Sequence, residues 1–89
     1  MDSMDKMMKN LRDAIETNIE KMLEMAGVKY KNVNETDKVM KEKGLRIDIF
    51  NNKRDEETFY ILRDNEKDYY AFKVIISIDG ISVSDIVEV

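Results

Sequence analysis

Two groups of charged and aromatic side chains in this 89-residue sequence have the chemistry to bind a partner. The first is a row of glutamates, Glu16, Glu20 and Glu24, which follow Asp13 at helical spacing. Like charges at that spacing on a helix repel by roughly 0.2–0.5 kcal/mol per pair. A basic partner would relieve this repulsion, so the row predicts a docking surface for a basic protein. A merely solvated helix face is the alternative that the same pattern allows.

The second group lies between residues 28 and 47, where six basic side chains accompany three acidic ones. Lysine and arginine neutralise phosphate and an aromatic ring stacks on bases, so this segment has the minimum that nucleic acid requires. The net charge of the chain is −4, however, which favours a protein over nucleic acid as the partner. Nucleic-acid binding is therefore the alternative, through Lys29, Tyr30, Lys31, Lys41, Lys43 and Arg46.

The composition argues against catalysis. The chain has no Cys and no His, which removes thiol chemistry, disulfides and the commonest general base and metal ligand. Asp64, Glu66 and Asp68 alternate as in a calcium loop. An EF-hand loop needs Gly at its sixth position and Glu at its twelfth, where this sequence has Tyr69 and Ile75. We therefore predict a non-enzymatic protein with no cofactor and no metal.

Two helices are predicted to position these groups. The first runs from about residue 3 to 26, because apolar side chains recur every three or four residues and Gly27 suits a left-handed C′ position. A short second helix spans Glu35 to Lys43 and ends at Gly44. The acidic row lies opposite the apolar stripe of the first helix, which consists of Met4, Met8, Leu11, Ile15, Ile19, Met22 and Ala26.

Four strands are predicted in the remainder. Alternating residues from Leu45 to Phe50 make the first strand, Thr58 to Arg63 the second, and a four-residue turn at 64–67 leads to the third. The third and fourth strands flank Asp79-Gly80, a two-residue pair typical of a type I′ hairpin turn. The predicted fold class is α+β: one long N-terminal helix packed on a four-stranded antiparallel meander, with a short second helix between them and residues 1–89 in a single domain.

The turn lengths also predict which residues share a face of the sheet. The Asp79-Gly80 turn sets Ile78 opposite Ile81, and the turn at 64–67 sets Ile61 opposite Tyr70. With these pairs on the inner face, Asp85 also points inward. An inward-pointing charge on an edge strand or a bulge at Ser84-Asp85 explains this position, and a functional carboxylate is the alternative. The outer face then carries more apolar side chains than a solvated face would, namely Phe50, Tyr60, Leu62, Tyr69, Ala71, Ile75 and Ile86.

These patterns favour a small acidic protein-interaction module of the adaptor, inhibitor or immunity type. No apolar run is long enough to span a bilayer, so we predict a cytoplasmic protein without membrane contact. A homodimer is the simplest use of an apolar sheet face, because a two-fold axis uses the same patch twice. The predicted partner-binding residues are Glu16, Glu20 and Glu24 on the helix and Phe50, Tyr60, Leu62, Tyr69 and Ile75 on the sheet.

Overall fold

A computed structural model describes residues 3–89, without the side chains of Ser3, Met4 and Val33. The chain forms two helices and then an antiparallel sheet, which confirms the predicted α+β arrangement. A 3-10 turn at Val33–Glu35 leads into the second helix. The helices are α1 (Ser3–Met25) and α2 (Thr36–Glu42), and the strands are β1 (Arg46–Asn52), β2 (Glu57–Arg63), β3 (Asp68–Ser77), β4 (Gly80–Val83) and β5 (Val87–Glu88).

The C-terminal end of α1 is closed by a Schellman motif, as the sequence predicts. Gly27 has a φ of +78°, a left-handed conformation that glycine adopts without steric cost. The Val28 amide donates to the Leu23 carbonyl at 2.9 Å, and the Gly27 amide donates to the Glu24 carbonyl at 3.0 Å. The helix therefore stops where its apolar stripe ends. The predicted contribution of Met4 to that stripe lies outside the described side chains.

The sheet has the meander order β1-β2-β3-β4, and β5 pairs with β3 on the side that β4 occupies. The helix α1 packs on its own sheet, on the face that we call inner. The rings of Tyr60 and Phe72 stack there with centroids 4.9 Å apart. The core buries one apolar cluster contributed by both helices and the inner face: Met22, Leu23, Val28, Met40, Leu62, Phe72 and Val74.

The predicted pairing of β2 with β3 is wrong by one residue. The turn at 64–67 forms as expected, and Arg63 pairs with Asp68. A β-bulge follows, so that Leu62 pairs with Tyr70 instead of Tyr69. Because side chains alternate between faces, this single extra residue on β3 reverses the orientation of β2. Tyr60 and Leu62, predicted on the outer face, lie on the inner face, and Leu62 is fully buried.

The hairpin between β3 and β4 turns one residue earlier than predicted. Ser77 pairs with Gly80, so Ile78 and Asp79 are the two turn residues. Neither has a positive φ, which excludes the expected type I′ turn. Gly80 has a φ of +131° at the start of β4. Ile78 is consequently fully exposed at the tip. The register moves by two residues, so the inner face keeps Ile81 and Val83.

Residues 84–86 interrupt the edge strand that pairs with β3 and separate β4 from β5. This interruption agrees with a bulge at Ser84-Asp85, one of the explanations predicted for Asp85. The amide of Lys73 donates to Ser84 Oγ at 2.9 Å, and the Ser84 amide donates to the Lys73 carbonyl at 2.9 Å. The extra residue leaves Asp85 exposed and turns Val87 to the outer face, where it pairs with Ala71. Ile86, predicted on the outer face, packs against the core instead.

Candidate interaction surfaces

The outer face of the sheet presents a group of apolar side chains that no described element covers, and the Lys73–Glu57 ion pair lies between Phe59 and Ile75 within this group. Phe50 pairs with Phe59 across β1 and β2, while Ile61, Ala71 and Val87 form a row across β2, β3 and β5. Phe50 and Val87 are 47% and 57% exposed. Exposed apolar patches of this kind mark interaction sites in soluble proteins. We call this surface the outer patch and define it by Phe50, Phe59, Ile61, Ala71, Ile75 and Val87.

Charged side chains around the outer patch neutralise one another. Arg63 donates two hydrogen bonds to Asp68, at 2.8 and 3.1 Å, and a third to Asp48 at 3.2 Å. Arg46 also donates to Asp48 at 3.0 Å, and the Lys73 ammonium lies 3.0 Å from Glu57. The bond from Arg46, followed by that from Arg63, holds the pKa of Asp48 below its usual value. The guanidinium of Arg63 also lies 5.2 Å from the centre of the Phe50 ring, within cation–π range.

The structure separates the sheet residues that the sequence grouped together. Phe50, Tyr69 and Ile75 lie on the outer side as predicted, whereas Tyr60 and Leu62 do not. The outer patch instead contains residues that the prediction placed inside: Phe59, Ile61 and Val87. One signal in β2 was available. Its charged residues, Glu57 and Arg63, share the odd positions with Phe59 and Ile61, and strand charges usually face solvent.

The acidic row of α1 flanks the apolar stripe and is closer to the sheet than predicted. Glu16 and Glu24 are exposed, but Glu20 is half-buried. None of the three forms a salt bridge within residues 3–89. The field of the row reaches Tyr30, whose pKa is raised first by burial and then by Glu20 and Glu24. Beside the inner face of the sheet, the row thus presents acidic side chains that form no salt bridge in the described part of the chain.

A groove opens on the inner side of the sheet between α1, α2 and β1. It has a volume of about 520 Å³, and we call it the inner groove. Glu16 and Glu20 line its α1 wall, while Asp37 and Lys41 line its α2 wall. A shallower depression beside Met8 continues it along α1. The apolar lining consists of Ile19, Met40, Leu45, Ile47, Ile49 and Tyr60.

The structure does not assemble the predicted basic group as a stacking site. Tyr30, its one aromatic ring, is half-buried and packs against the core. The other members are exposed, and Arg46 is already bonded to Asp48 and to Asn65. Nucleic-acid binding remains a prediction from the sequence. The remaining lysines are Lys29 and Lys31 after α1 and Lys41 and Lys43 near the end of α2.

The chain matches no protein-family model, no curated protein and no solved structure with which it was compared. Within residues 3–89, no helix is long and apolar enough to cross a membrane. With no relative to supply a function, the chemistry of the outer patch and the inner groove is the basis for the function proposed below.

Two acids of the sequence that resembles a calcium loop, Asp64 and Asp68, stabilise the turn at 64–67. Asp64 Oδ1 accepts hydrogen bonds from the amides of Glu66 and Lys67, at 2.7 and 2.8 Å. Its other oxygen accepts a short hydrogen bond from the Tyr69 hydroxyl. That bond, followed by the two amide bonds, lowers the pKa of Asp64, and the same bond raises the pKa of Tyr69. Asp68 is engaged by Arg63. These contacts give Asp64 and Asp68 a structural role.

The hydrogen bonds to Asp64 make the stability of the folded protein depend on pH. A carboxyl group with a lowered pKa in the folded state stabilises the fold above its unfolded pKa, and the stabilisation is lost as pH falls. We expect the Tm measured by circular dichroism to fall as pH drops below about 4. Asp64→Asn should lower Tm at pH 7 and flatten that dependence. Asp79→Asn at the hairpin tip is the control and should keep the wild-type slope; an equally steep slope for Asp64→Asn would contradict the assignment.

Proposed function

We propose that this protein is a cytoplasmic, non-catalytic interaction module of the adaptor, inhibitor or immunity kind, and that it forms a homodimer through the outer patch. The observation that supports this most directly is the uncovered apolar row of Ile61, Ala71 and Val87 at the centre of the outer face. Two sheets that pack face to face in this way bury their facing side chains in a layer about 10 Å thick.

The charges around the outer patch support a second copy as the occupant. The protein as a whole carries a net charge of −4, so two copies repel each other at long range. The outer face differs, because its three basic side chains are each paired with an acid of the same face. Two such faces approach without bringing unpaired like charges together. Electrostatic compatibility of this kind suits an isologous, two-fold interface.

The size of the face sets the expected strength of the dimer. Four strands at about 4.8 Å spacing and seven residues at about 3.4 Å rise cover roughly 19 by 24 Å. The resulting area of about 460 Å² is smaller than the roughly 800 Å² that a typical specific interface buries on each partner. We therefore expect a reversible dimer whose population rises with protein concentration, and not an obligate one.

Ala71→Lys tests the proposal at the centre of the outer patch. Lysine at this position is tolerated on a solvated strand but places two positive charges against each other across a two-fold axis. We expect wild type to show a concentration-dependent dimer by sedimentation velocity, and Ala71→Lys to remain monomeric at the same concentrations. Ile78→Lys is the matched control, because Ile78 is fully exposed at a hairpin tip away from the patch.

Two results would contradict the homodimer. One is a wild-type protein that stays monomeric across the accessible concentration range. The other is an Ala71→Lys protein that is folded by circular dichroism and dimerises as well as wild type. A dimer lost equally in Ala71→Lys and Ile78→Lys would show that the interface is not specific to the outer patch, because each added lysine lowers the net negative charge and so weakens the repulsion between copies.

The non-catalytic part of the proposal rests on what the polar side chains of the sheet do. Arg63 bonds to Asp48 and Asp68, and Asp64 bonds to Tyr69. Each of these groups bonds to a partner in the same strand pair or turn, at the surface and not in an enclosed cavity. Such contacts stabilise strand pairing. They fit a scaffold for a binding surface better than a catalytic site, in which an acid or base must be free to exchange a proton.

A further inference from the structure

The inner layer of this fold has room for a third helix. A helix is about 10 Å wide with its side chains, so it covers about two strands at about 4.8 Å spacing. The helix α1 packs on β3 and β4. The helix α2 has seven residues and lies near the start of β1, where Leu45 and Met40 border the inner groove. The inner face of β1 and β2 is therefore only partly covered, and Ile49 on it is 60% exposed.

The dimensions of the inner groove match a helix lying beside α1. Packed helices lie about 8–10 Å apart, which is about two strand spacings. A helix beside α1 would thus lie over β1 and β2, above Ile49 and Tyr60. Together with the adjoining depression, the groove follows α1 from Met8 to Glu20. At about 1.5 Å per residue this is roughly 18 Å, or about three helical turns.

The charges of the inner groove specify the occupant. Its α1 wall carries Glu16 and Glu20, neither of which forms a salt bridge within residues 3–89. Asp37 and Lys41 on the opposite wall are one turn apart on α2 and offset each other. Arg46 also lines the groove, but its guanidinium is bonded to Asp48 and Asn65. Arg12 lies further along, in the adjoining depression. A helix in the groove would therefore bury an apolar stripe on Ile49 and Tyr60 and present basic residues to the two glutamates.

We propose that the inner groove binds an amphipathic helix with a basic flank, contributed by a different protein. A second copy of this chain fits poorly, because the apolar stripe of α1 is already buried on its own sheet and α1 carries the acidic row itself. The surface is separate from the outer patch, so the two proposals can fail independently. The binding mode is helix-in-groove recognition through residues spaced by three or four.

The test uses a synthetic helical peptide as the probe. The peptide has roughly 15 residues, with leucine at every third or fourth position and lysine on both flanks of that stripe. A second peptide replaces every lysine with glutamate, and a third has the composition of the first in scrambled order. Binding to the full-length protein is measured by calorimetry, and the contact surface is mapped by amide chemical shifts.

We expect the lysine peptide to shift amides around Ile19 and Ile49 and to bind about tenfold more tightly than the glutamate peptide. The protein variant Glu16→Lys/Glu20→Lys should reverse this preference. Asp13→Lys/Glu24→Lys is the matched control, because it makes the same change in net charge on the same helix without touching the inner groove. This control variant should still bind the lysine peptide more tightly than the glutamate peptide. Ile49→Ser, at an exposed position, should weaken both peptides.

Five results would overturn the proposal. The scrambled peptide could bind as well as the ordered one, or the shifts could map to the outer patch around Ala71. The two double variants could have equal effects, which would make net charge the cause. Finally, self-association that Ile49→Ser abolishes would show that a second copy occupies the inner groove. Absence of binding by all three peptides would also count against it.

Discussion

Leu62→Ala should lower the free energy of unfolding by about 2–5 kcal/mol, the cost of removing a fully buried leucine and leaving a cavity. Leu62 is completely buried between the sheet and the helices, and it contributes to the central cluster with Leu23 and Phe72. The adjacent variant Ile61→Ala should cost only about 1 kcal/mol, because Ile61 is half-buried on the outer face. Urea unfolding followed by circular dichroism measures both values.

This pair distinguishes the observed register from the one that the sequence suggests. With the unbulged pairing, Ile61 would lie in the core and Leu62 on the outer face. Ile61→Ala would then lower the free energy of unfolding more than Leu62→Ala. The measurements belong at a protein concentration at which wild type is monomeric, because Ile61 is also part of the outer patch. A larger loss for Ile61→Ala than for Leu62→Ala would refute the bulge between Leu62 and Arg63.

Leu23→Ala should have a comparable effect, about 2–5 kcal/mol, because Leu23 anchors α1 to the sheet and is fully buried. Met25, two residues along the same helix, is 51% exposed. Met25→Ala should change the unfolding free energy by less than about 0.5 kcal/mol, since alanine is the best helix former and little packing is lost. Both variants keep the Schellman motif at Gly27 intact.

The same experiment tests whether α1 packs on its own sheet. Packing within one chain makes the unfolding midpoint of Leu23→Ala independent of protein concentration below the range in which dimers form. If α1 packed on the sheet of a second chain, folding and association would be coupled and the midpoint would rise with concentration. A clear rise for wild type at low concentration would therefore argue for an exchanged helix.

Local patterns in the sequence predict most of the elements of this fold. The helix α1 follows from apolar residues spaced by three or four and ends at Gly27, whose conformation depends only on its immediate neighbours. The strand β1 follows from the alternation of apolar and charged residues from Leu45 to Ile49, and its outward Phe50 and inward Ile47 lie as predicted. Such signals extend over a few residues, so they predict an element correctly even when its packing partners are unknown.

The face of β2 could not be predicted in the same way. The strand is apolar at four successive positions, Phe59, Tyr60, Ile61 and Leu62, so either alternate pair would suit a core. A bulge near Arg63 settles which pair faces inward, and it does so by packing Leu62 and Tyr60 into the cluster under α1. Only contacts between residues distant in sequence distinguish the two registers. The partial signal from Glu57 and Arg63 is weak because both lie at strand ends.

The candidate surfaces likewise depend partly on local sequence and partly on tertiary contacts. By itself the sequence determined an acidic composition and the α+β fold class, with an acidic row on the first helix and more apolar strand residues than one core face requires. Only the tertiary structure decided that Phe59 and Ile61 belong to the outer patch and that Glu16 and Glu20 border a groove. The reason is physical: periodicity specifies which element a residue belongs to, whereas bulges, turn position and the placement of α1 over β3 and β4 decide what remains exposed.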